Sequence, residues 1–325
     1  MSLDSQRKIA AILRVLDEAG RPLGGSKLAR GLQRAGIQLE QRMVRNYLEA
    51  MDAAGLTVNL GRRGRQLTDH GRRELDASGV VEKVGFIDAR GDELAYNMTL
   101  DLKRSRGTVI LNVTALPAAY LDDARRIMEP VIRARLGMGH FGIIAGTGHG
   151  VPGLAVAAGE AIIGTVCSIT LNGLLRAAGI PILSRFGGLL ELRDGEPLRF
   201  THIIAYAGTT LDPIEVFIKA QMTSVGMAAR TGNGLVGASF REVPAAAITH
   251  VRKVIQQMDE AGLGGMVLVG DPNIPLLEIP VSQGRVGILV MAGLNPLAAV
   301  QEAGIPTDNR ALARLCEFET LTPLV

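Results

Sequence analysis

Residues 39–67, LEQRMVRNYLEAMDAAGLTVNLGRRGRQL, decide the fold of the N-terminal part of this chain. Apolar residues recur there at three- and four-residue steps, which predicts a helix over residues 39–54 with one buried face. These apolar residues are Val44, Leu48 and Met51. Residues 57–67 predict a short hairpin, because two strand-like segments flank a turn of glycine and arginine at 61–64. The segment therefore predicts a helix followed by a hairpin with a basic tip.

Two further helices are predicted before this segment. Residues 5–19 carry the apolar residues Ile9, Ile12, Leu13 and Leu16 at helical spacing. A break at Gly20-Arg21-Pro22 separates them from a second helix, which starts at Gly25 and ends near Gly36. Three helices and a hairpin in this order predict a winged helix-turn-helix domain over residues 1–77. That domain holds 14 Lys and Arg against 9 Asp and Glu, a net charge of +5, which favours binding to nucleic acid.

The predicted contacts follow from the usual docking of this motif on double-stranded DNA. The third helix enters the major groove, where residues near its N-terminus meet base edges. Gln41, Arg42 and Arg45 occupy those positions, and Arg and Gln side chains pair well with guanine and adenine. The remaining basic residues suit phosphate or minor-groove contact: Lys27, Arg30, Arg62, Arg63 and Arg65. The alternative is a winged helix that contacts another protein through a solvated basic surface.

Composition excludes several other classes. Tryptophan is absent and aromatic residues make up 3% of the chain, which argues against stacking on single-stranded nucleic acid. The two cysteines, Cys167 and Cys316, have neither zinc-ligand nor disulfide spacing. The N-terminal residues are polar, and no apolar run reaches the ~18 residues of a membrane span. These features predict a cytoplasmic protein that binds neither metal nor membrane.

From residue 80 the pattern changes to mixed α/β, and residues 80–325 are predicted to form a second domain. Strands are expected over residues 107–113, 141–145, 161–171, 200–206, 265–269 and 286–291, and helices over 121–136, 213–220 and 245–261. An internal sequence repeat relates residues 164–181 to residues 284–306, since both segments run from a strand through a short helix to Ala-Gly-Ile-Pro. We therefore predict one unit built from two related α/β halves. The alternative is a coincidence of common residue types.

Three segments are candidates for a ligand site in this second domain. A glycine loop follows the strand 141–145, and its backbone N–H groups could face an anion. Residues 208–213 place hydroxyls before a helix that Asp212 could cap. Arg185 precedes a predicted glycine turn at residues 187–188, and a cation beside such a turn suits a carboxylate ligand. The predicted ligand-binding residues are Gly146, Thr147, Gly148, His149, Arg185, Thr209 and Thr210. Simple turns and a surface arginine would explain the same residues.

No catalytic site is predicted. Cys167 and Ser168 have no base beside them in the sequence, so a buried cysteine is expected and the protein is not expected to be an enzyme. His140 and His149 have no acidic partner at ligand spacing, so no metal site is expected either. The competing hypothesis is a metabolite enzyme with an appended DNA-binding domain, which would use the glycine loop that carries His140 and His149.

Four segments together resemble a known family. With the winged helix, they are similar to the transcriptional regulators of the NrpR type: Val84-Gly85-Phe86, Tyr96-Asn97-Met98-Thr99, the loop 137–153 and Gly208-Thr209-Thr210-Leu211-Asp212-Pro213. The resemblance implies a dimeric repressor of nitrogen-assimilation genes that binds a palindromic operator. It also implies an effector, 2-oxoglutarate, whose binding lowers operator affinity; no other cofactor is implied. Archaeal members commonly carry two regulatory domains in tandem, whereas this chain has length for one.

Overall fold

A computed structural model describes residues 3–34, 39, 41–72, 86–146 and 156–325. The chain divides into two compact units, Met1–Gly85 and Phe86–Val325. The predicted linker at residues 77–79 lies outside the described residues.

The N-terminal unit contains the predicted three helices and hairpin. Its elements are α1 (Leu3–Ala19), α2 (Gly25–Arg34), α3 (Gln41–Ala53), β1 (Thr57–Asn59) and β2 (Arg65–Leu67). A single-turn 3₁₀ helix, Gly61–Arg63, closes the hairpin, in which Thr57 faces Leu67. The apolar residues that predicted the helices form the core of this unit: Ile12, Leu13 and Leu16 from α1, Leu28 and Leu32 from α2, and Val44, Leu48 and Met51 from α3. The predicted helical spacing is confirmed.

The second unit contains seven helices and ten strands among its described residues. The helices are α4 (Ile87–Asn97), α5 (Leu121–Arg133), α6 (Thr170–Ala177), α7 (Pro213–Lys219), α8 (Val225–Thr231), α9 (Ile248–Glu260) and α10 (Asn295–Glu302). The strands are β3 (Thr108–Pro117), β4 (Phe141–Ala145), β5 (Glu160–Val166), β6 (Leu183–Arg193), β7 (Glu196–Ala205), β8 (Gly234–Pro244), β9 (Val267–Val269), β10 (Arg285–Met291), β11 (Asp308–Glu317) and β12 (Thr322–Pro323).

These elements form two halves of the same order. Each half runs strand, 3₁₀ turn, helix, two strands, helix, strand: β3 to β6 in the first half and β8 to β11 in the second. The strands form two five-stranded sheets, with orders β11-β3-β5-β4-β12 and β7-β6-β8-β10-β9. The last strand of each half therefore pairs with the first strand of the other half. This reciprocal exchange joins the halves into one unit and confirms the predicted repeat.

Equivalent side chains hold the two halves in the same way. Thr170, the first residue of α6, has its hydroxyl 3.3 Å from the backbone nitrogen of Ile110 and 3.4 Å from its oxygen. Asn295, the first residue of α10, bonds the nitrogen and oxygen of Gly237 at 2.9 and 2.8 Å. Ile110 and Gly237 lie at corresponding places in β3 and β8. Each half thus ties the start of its second helix to its first strand.

One predicted strand is wrong in its second part. The strand expected over residues 161–171 ends at Val166, and α6 begins at Thr170. Residues 167–169 form a turn in which Cys167 and Ser168 accept backbone hydrogen bonds from Thr170 and Leu171. The run is apolar throughout because the strand and the helix are both buried. Periodicity does not distinguish a buried strand from a buried helix over so short a run.

Candidate functional site

The predicted DNA-contacting side chains of the first unit are mostly exposed. Arg42 and Arg45 lie on the outer face of α3, Lys27 and Arg30 are exposed on α2, and Arg62 and Arg63 are exposed at the tip of the hairpin. Gln41 is the first residue of α3. The arrangement places basic groups on the third helix and on the wing, which are the two elements that contact DNA in this motif.

Arg65 is placed differently from the other predicted contacts. Its Nε donates a 2.7 Å hydrogen bond to Asp52 of α3, and the two side chains are only 17% and 24% exposed. The Thr57 hydroxyl donates to the same carboxylate at 2.5 Å. Asp52 therefore fastens both strands of the wing to the third helix. Arg65 positions the wing through this contact, while its predicted DNA contact stays a prediction.

The predicted ligand residues of the second unit have varied surroundings. Thr147, Gly148 and His149 lie outside the described residues, and Gly146 directly follows β4. The Thr209 hydroxyl lies 3.2 Å from the backbone oxygen of Leu211 and 3.3 Å from its nitrogen, and the Thr209 carbonyl accepts from Ile87. Asp212 caps α7, as expected, by accepting from the nitrogens of Ile214 and Glu215 at 2.9 and 3.2 Å.

Arg185 does not precede a glycine turn, contrary to the prediction. Residues 185–188 lie within β6, where a side chain at Gly188 would approach the carbonyl oxygen of His202 to 2.4 Å. Glycine is needed there for close strand packing rather than for a turn. The Arg185 guanidinium forms an ion pair with Glu242, whose side chain is fully buried. Arg185 therefore already has a carboxylate partner within the protein.

A cavity of about 190 Å³ lies where the two halves meet. Both halves contribute equivalent groups: Asn112 of β3 and Ser239 of β8, and the turns 167–169 and 292–294 that precede α6 and α10. Helix α4 contributes Asp88 and Asp92, and the segment before α7 contributes Tyr206 and Asp212. Gly146, Arg185, Thr209 and Thr210 do not line this cavity. Thr209 and Arg185 are close to it in sequence, since Ala207 and Ser184 belong to the lining.

One side of the cavity presents positive potential and hydrogen-bond donors. The turns that precede α6 and α10 line the cavity, so the positive ends of both helices adjoin it. Neither helix has a side-chain cap, and carbonyls of these turns accept its first N–H groups. Behind the lining lies Arg241, which is completely buried. Its guanidinium donates to the Ser168 carbonyl and hydroxyl at 2.8 and 2.7 Å, and to the Ser239 hydroxyl at 3.1 Å. The Ser239 hydroxyl donates in turn to the Val290 carbonyl at 3.3 Å, so the Ser168 hydroxyl is the one whose hydrogen the buried cation leaves directed away from itself.

The other side of the cavity is lined by acidic residues and by hydrogen-bond acceptors. Burial, followed by the nearby charge of Glu215, raises the pKa of Asp212 to about 7. Asp88 and Asp92 are exposed and lie one helical turn apart on α4. Asn172 is buried and donates from its amide nitrogen to the Ser184 hydroxyl at 3.0 Å, while its amide oxygen has no partner among the described residues. The cavity therefore combines a donor side with an acceptor side.

Cys167 lines the same cavity as a neutral thiol. Burial raises its pKa to about 11, so the reactive thiolate is scarce at neutral pH. Burial also raises the pKa of Tyr206 above its ordinary value. In the described part of the chain, no group of His, Cys, Asp and Glu residues is arranged to hold a metal ion. Within the same residues, no helix is long and apolar enough to cross a bilayer.

Neither the buried Arg241 nor the cavity was predicted from the sequence. A signal was present, because Arg241 and Glu242 interrupt the otherwise uncharged segment 234–240 and 243–247. A charged pair inside such a strand is rarely buried without a partner. The serine that completes the arginine's contacts comes from the other half, 73 residues away, so the sequence alone did not connect them.

The chain thus combines a winged helix with a duplicated α/β unit that contains a cavity, a combination of domains that defines it as a regulator of the winged-helix class. Residues 84–323 match the family model described as NrpR regulatory domains NRD1 and 2, and residues 10–75 match the ribonuclease R winged-helix domain. The chain therefore belongs to the NrpR family of nitrogen-related transcriptional regulators.

Individual relatives support the same assignment. The chain is 30% identical to the global nitrogen regulator NrpRI of Methanosarcina mazei, over 97% of each chain. It is 27% identical to NrpR of Methanococcus maripaludis over 95% of this chain but 54% of that protein, so it spans about half of that relative's length. A crystal structure of a nitrogen repressor-like protein from Methanococcus jannaschii matches with a TM-score of 0.62 and 26% identity, covering 73% of this chain and 97% of that one. These relatives are named as regulators rather than enzymes.

Proposed function

We propose that this protein is a homodimeric repressor that binds a palindromic operator at nitrogen-assimilation genes and releases it when 2-oxoglutarate binds. The basic third helix and wing supply the DNA contacts. Two copies on a two-fold site supply the selectivity that a single winged helix with few base-reading side chains lacks.

The observation that carries the effector proposal is the pair of helix N-termini beside one cavity, with the buried Arg241 behind its lining. A dicarboxylate has two anionic groups, and helix N-termini favour anions. The N-termini of α6 and α10 adjoin the cavity from the two halves, with the Ser168 and Ser239 hydroxyls between them and the buried Arg241. The cavity volume of about 190 Å³ suits a metabolite rather than a larger ligand. We propose that 2-oxoglutarate lies across the junction of the halves.

Ligand binding at this junction has a direct physical route to regulation. The effector must bind one arrangement of the protein better than another, and a coupling of about 1–3 kcal/mol corresponds to roughly a 5- to 150-fold change in affinity. A ligand that contacts both halves can favour one relation between them. The same contacts would then change how two winged helices are presented to the operator.

Fluorescence anisotropy of the full chain on a labelled palindromic promoter fragment tests the proposal. Addition of 2-oxoglutarate should weaken operator binding by at least about fivefold. Glutarate, which lacks the oxo group, serves as a matched ligand, and Arg42→Ala should weaken operator binding with or without effector. Operator affinity that stays unchanged across physiological 2-oxoglutarate concentrations would refute the effector, and affinity insensitive to salt would refute the DNA-binding function.

A further inference from the structure

The acceptor side of the cavity is not explained by a dicarboxylate. Asp88, Asp92 and Asp212 line the cavity together with Asn172, which is 6% exposed and whose amide oxygen has no partner in the described structure. Leaving a buried acceptor unpaired costs free energy. The buried cation behind the lining, Arg241, already donates to Ser168 and Ser239 on the other side.

The chemistry of 2-oxoglutarate does not complement these groups. At neutral pH the molecule carries two carboxylates and an oxo group, all of which only accept hydrogen bonds. It therefore has no donor for the Asn172 oxygen and gains no attraction from Asp88 or Asp92. An ammonium group beside a carboxylate has three donors and a positive charge, and carboxylates and amide oxygens are its natural partners.

We propose that the cavity also binds an α-amino acid, which competes with 2-oxoglutarate for the same space. The α-carboxylate lies at the helix ends and the Ser168 hydroxyl, and the α-ammonium group lies between Asp212 and the Asn172 amide oxygen. The inference rests on the proposed function, since it assigns a second ligand to the proposed effector cavity. Such competition would let the regulator respond to the ratio of an amino acid to its oxo acid.

Three ligands with the same carbon skeleton distinguish the contribution of the ammonium group from that of the oxo group. L-Glutamate carries an ammonium group where 2-oxoglutarate carries the oxo group, and glutarate carries neither. Isothermal titration of the full chain with each ligand, and with L-glutamate in the presence of saturating 2-oxoglutarate, measures affinity and competition. We expect L-glutamate to bind at one site and to lose that binding when 2-oxoglutarate is present.

Two variants connect this binding to the cavity. Asn172→Leu introduces the residue found at the corresponding place in the other half, Leu297, and Asp212→Asn retains a side chain that can cap α7. Both should weaken L-glutamate at least tenfold while changing glutarate affinity by less than twofold. Asp122→Asn, at an exposed site on α5, is the control and should change none of the three affinities.

The possible outcomes are distinct. Binding of 2-oxoglutarate without binding of L-glutamate would refute the amino-acid site and leave the proposed function intact. Binding of L-glutamate without 2-oxoglutarate would support the site and refute the proposed effector. If neither ligand binds, both proposals fail. Unchanged L-glutamate binding in the two cavity variants would place the amino acid elsewhere and overturn the inference.

Discussion

At the scale of single residues, the wing shows how two arginines in one hairpin take different roles. Arg62 and Arg63 are exposed at the tip, whereas Arg65 donates to Asp52 and is largely covered. The sequence pattern did not distinguish the two roles. An arginine at the tip and an arginine in the adjacent strand appear equivalent until the residues that they contact are known. The partner Asp52 lies 13 residues away on α3, on a face set by helix packing.

This difference predicts different salt dependence of DNA binding. A phosphate contact contributes about one unit to the slope of log affinity against log salt. Arg62→Ala and Arg63→Ala should each lower that slope by about one. Arg65→Gln should leave the slope unchanged, but it should weaken binding at every salt concentration and lower the free energy of unfolding of the N-terminal unit by about 1–3 kcal/mol. Anisotropy titrations at several salt concentrations and urea unfolding provide both readouts. A lower slope for Arg65→Gln would indicate a direct phosphate contact.

Asp212 predicts a pH dependence of stability. Because burial raises its pKa to about 7 in the folded protein, the protonated carboxyl is favoured by folding. The stability that it contributes is complete below its ordinary pKa near 4 and is lost as the pH rises through about 7. The free energy of unfolding should therefore fall with pH over this window by up to about 1.4 kcal/mol per pH unit. Urea unfolding of Asp212→Asn should lack this component, and identical pH profiles for the variant and wild type would contradict the shifted pKa.

At the scale of elements, the sequence predicted most helices and the short internal strands but not the exchanged strands. The apolar faces of α5 and α9 and the short run of β4 depend on local periodicity, and their positions were predicted to within about three residues. Strands β6, β8 and β11 were not predicted. All three pair with a strand of the opposite half, and the β6–β8 and β11–β3 pairings contain irregular register, which weakens the alternating pattern. Their positions depend on partners that are distant in sequence.

The cavity could not be predicted for the same reason. Its lining comes from turns, from helices α4, α6 and α7 and from strands of both halves, so no continuous motif marks it. Asp212 was correctly expected to cap α7. That it also lines a cavity depends on residues of α4 and of the second half, which form the other walls. The glycine loop, in contrast, is conspicuous in sequence, yet its first described residue, Gly146, does not line the cavity.

Substitution of the first residue of α6 and of the first residue of α10 should lower stability by unequal amounts. Thr170→Val removes two long contacts at 3.3 and 3.4 Å, and should lower the free energy of unfolding by about 1 kcal/mol. Asn295→Ala removes three shorter bonds, including one to the Leu136 carbonyl at 2.7 Å, and opens a small space, so it should cost about 3 kcal/mol. Urea unfolding of both variants measures the difference. A larger loss for Thr170→Val would contradict this account of how each half holds its second helix.

At the scale of the whole molecule, duplication and strand exchange explain why one cavity can serve a unit made of two halves. The exchanged strands make the halves inseparable, while the cavity at their junction is lined from both sides. A ligand bound there would contact residues of both halves and so favour one arrangement of the halves relative to each other. The net charge of +5 in the N-terminal unit would attract it to DNA, as proposed above. If the proposed homodimer forms through the duplicated unit, that unit would determine whether the attraction becomes selective.

Regulation of this kind must be reciprocal, which gives the last prediction. If 2-oxoglutarate lowers operator affinity by a given factor, then operator DNA must lower 2-oxoglutarate affinity by the same factor, because both express one coupling free energy. Isothermal titration of 2-oxoglutarate into the protein, with and without saturating operator DNA, should reproduce the factor obtained by anisotropy. A scrambled DNA fragment at the same concentration controls for ionic effects. Equal 2-oxoglutarate affinities with operator and with scrambled DNA would mean that the ligand does not act through operator binding, whatever its affinity for the isolated protein.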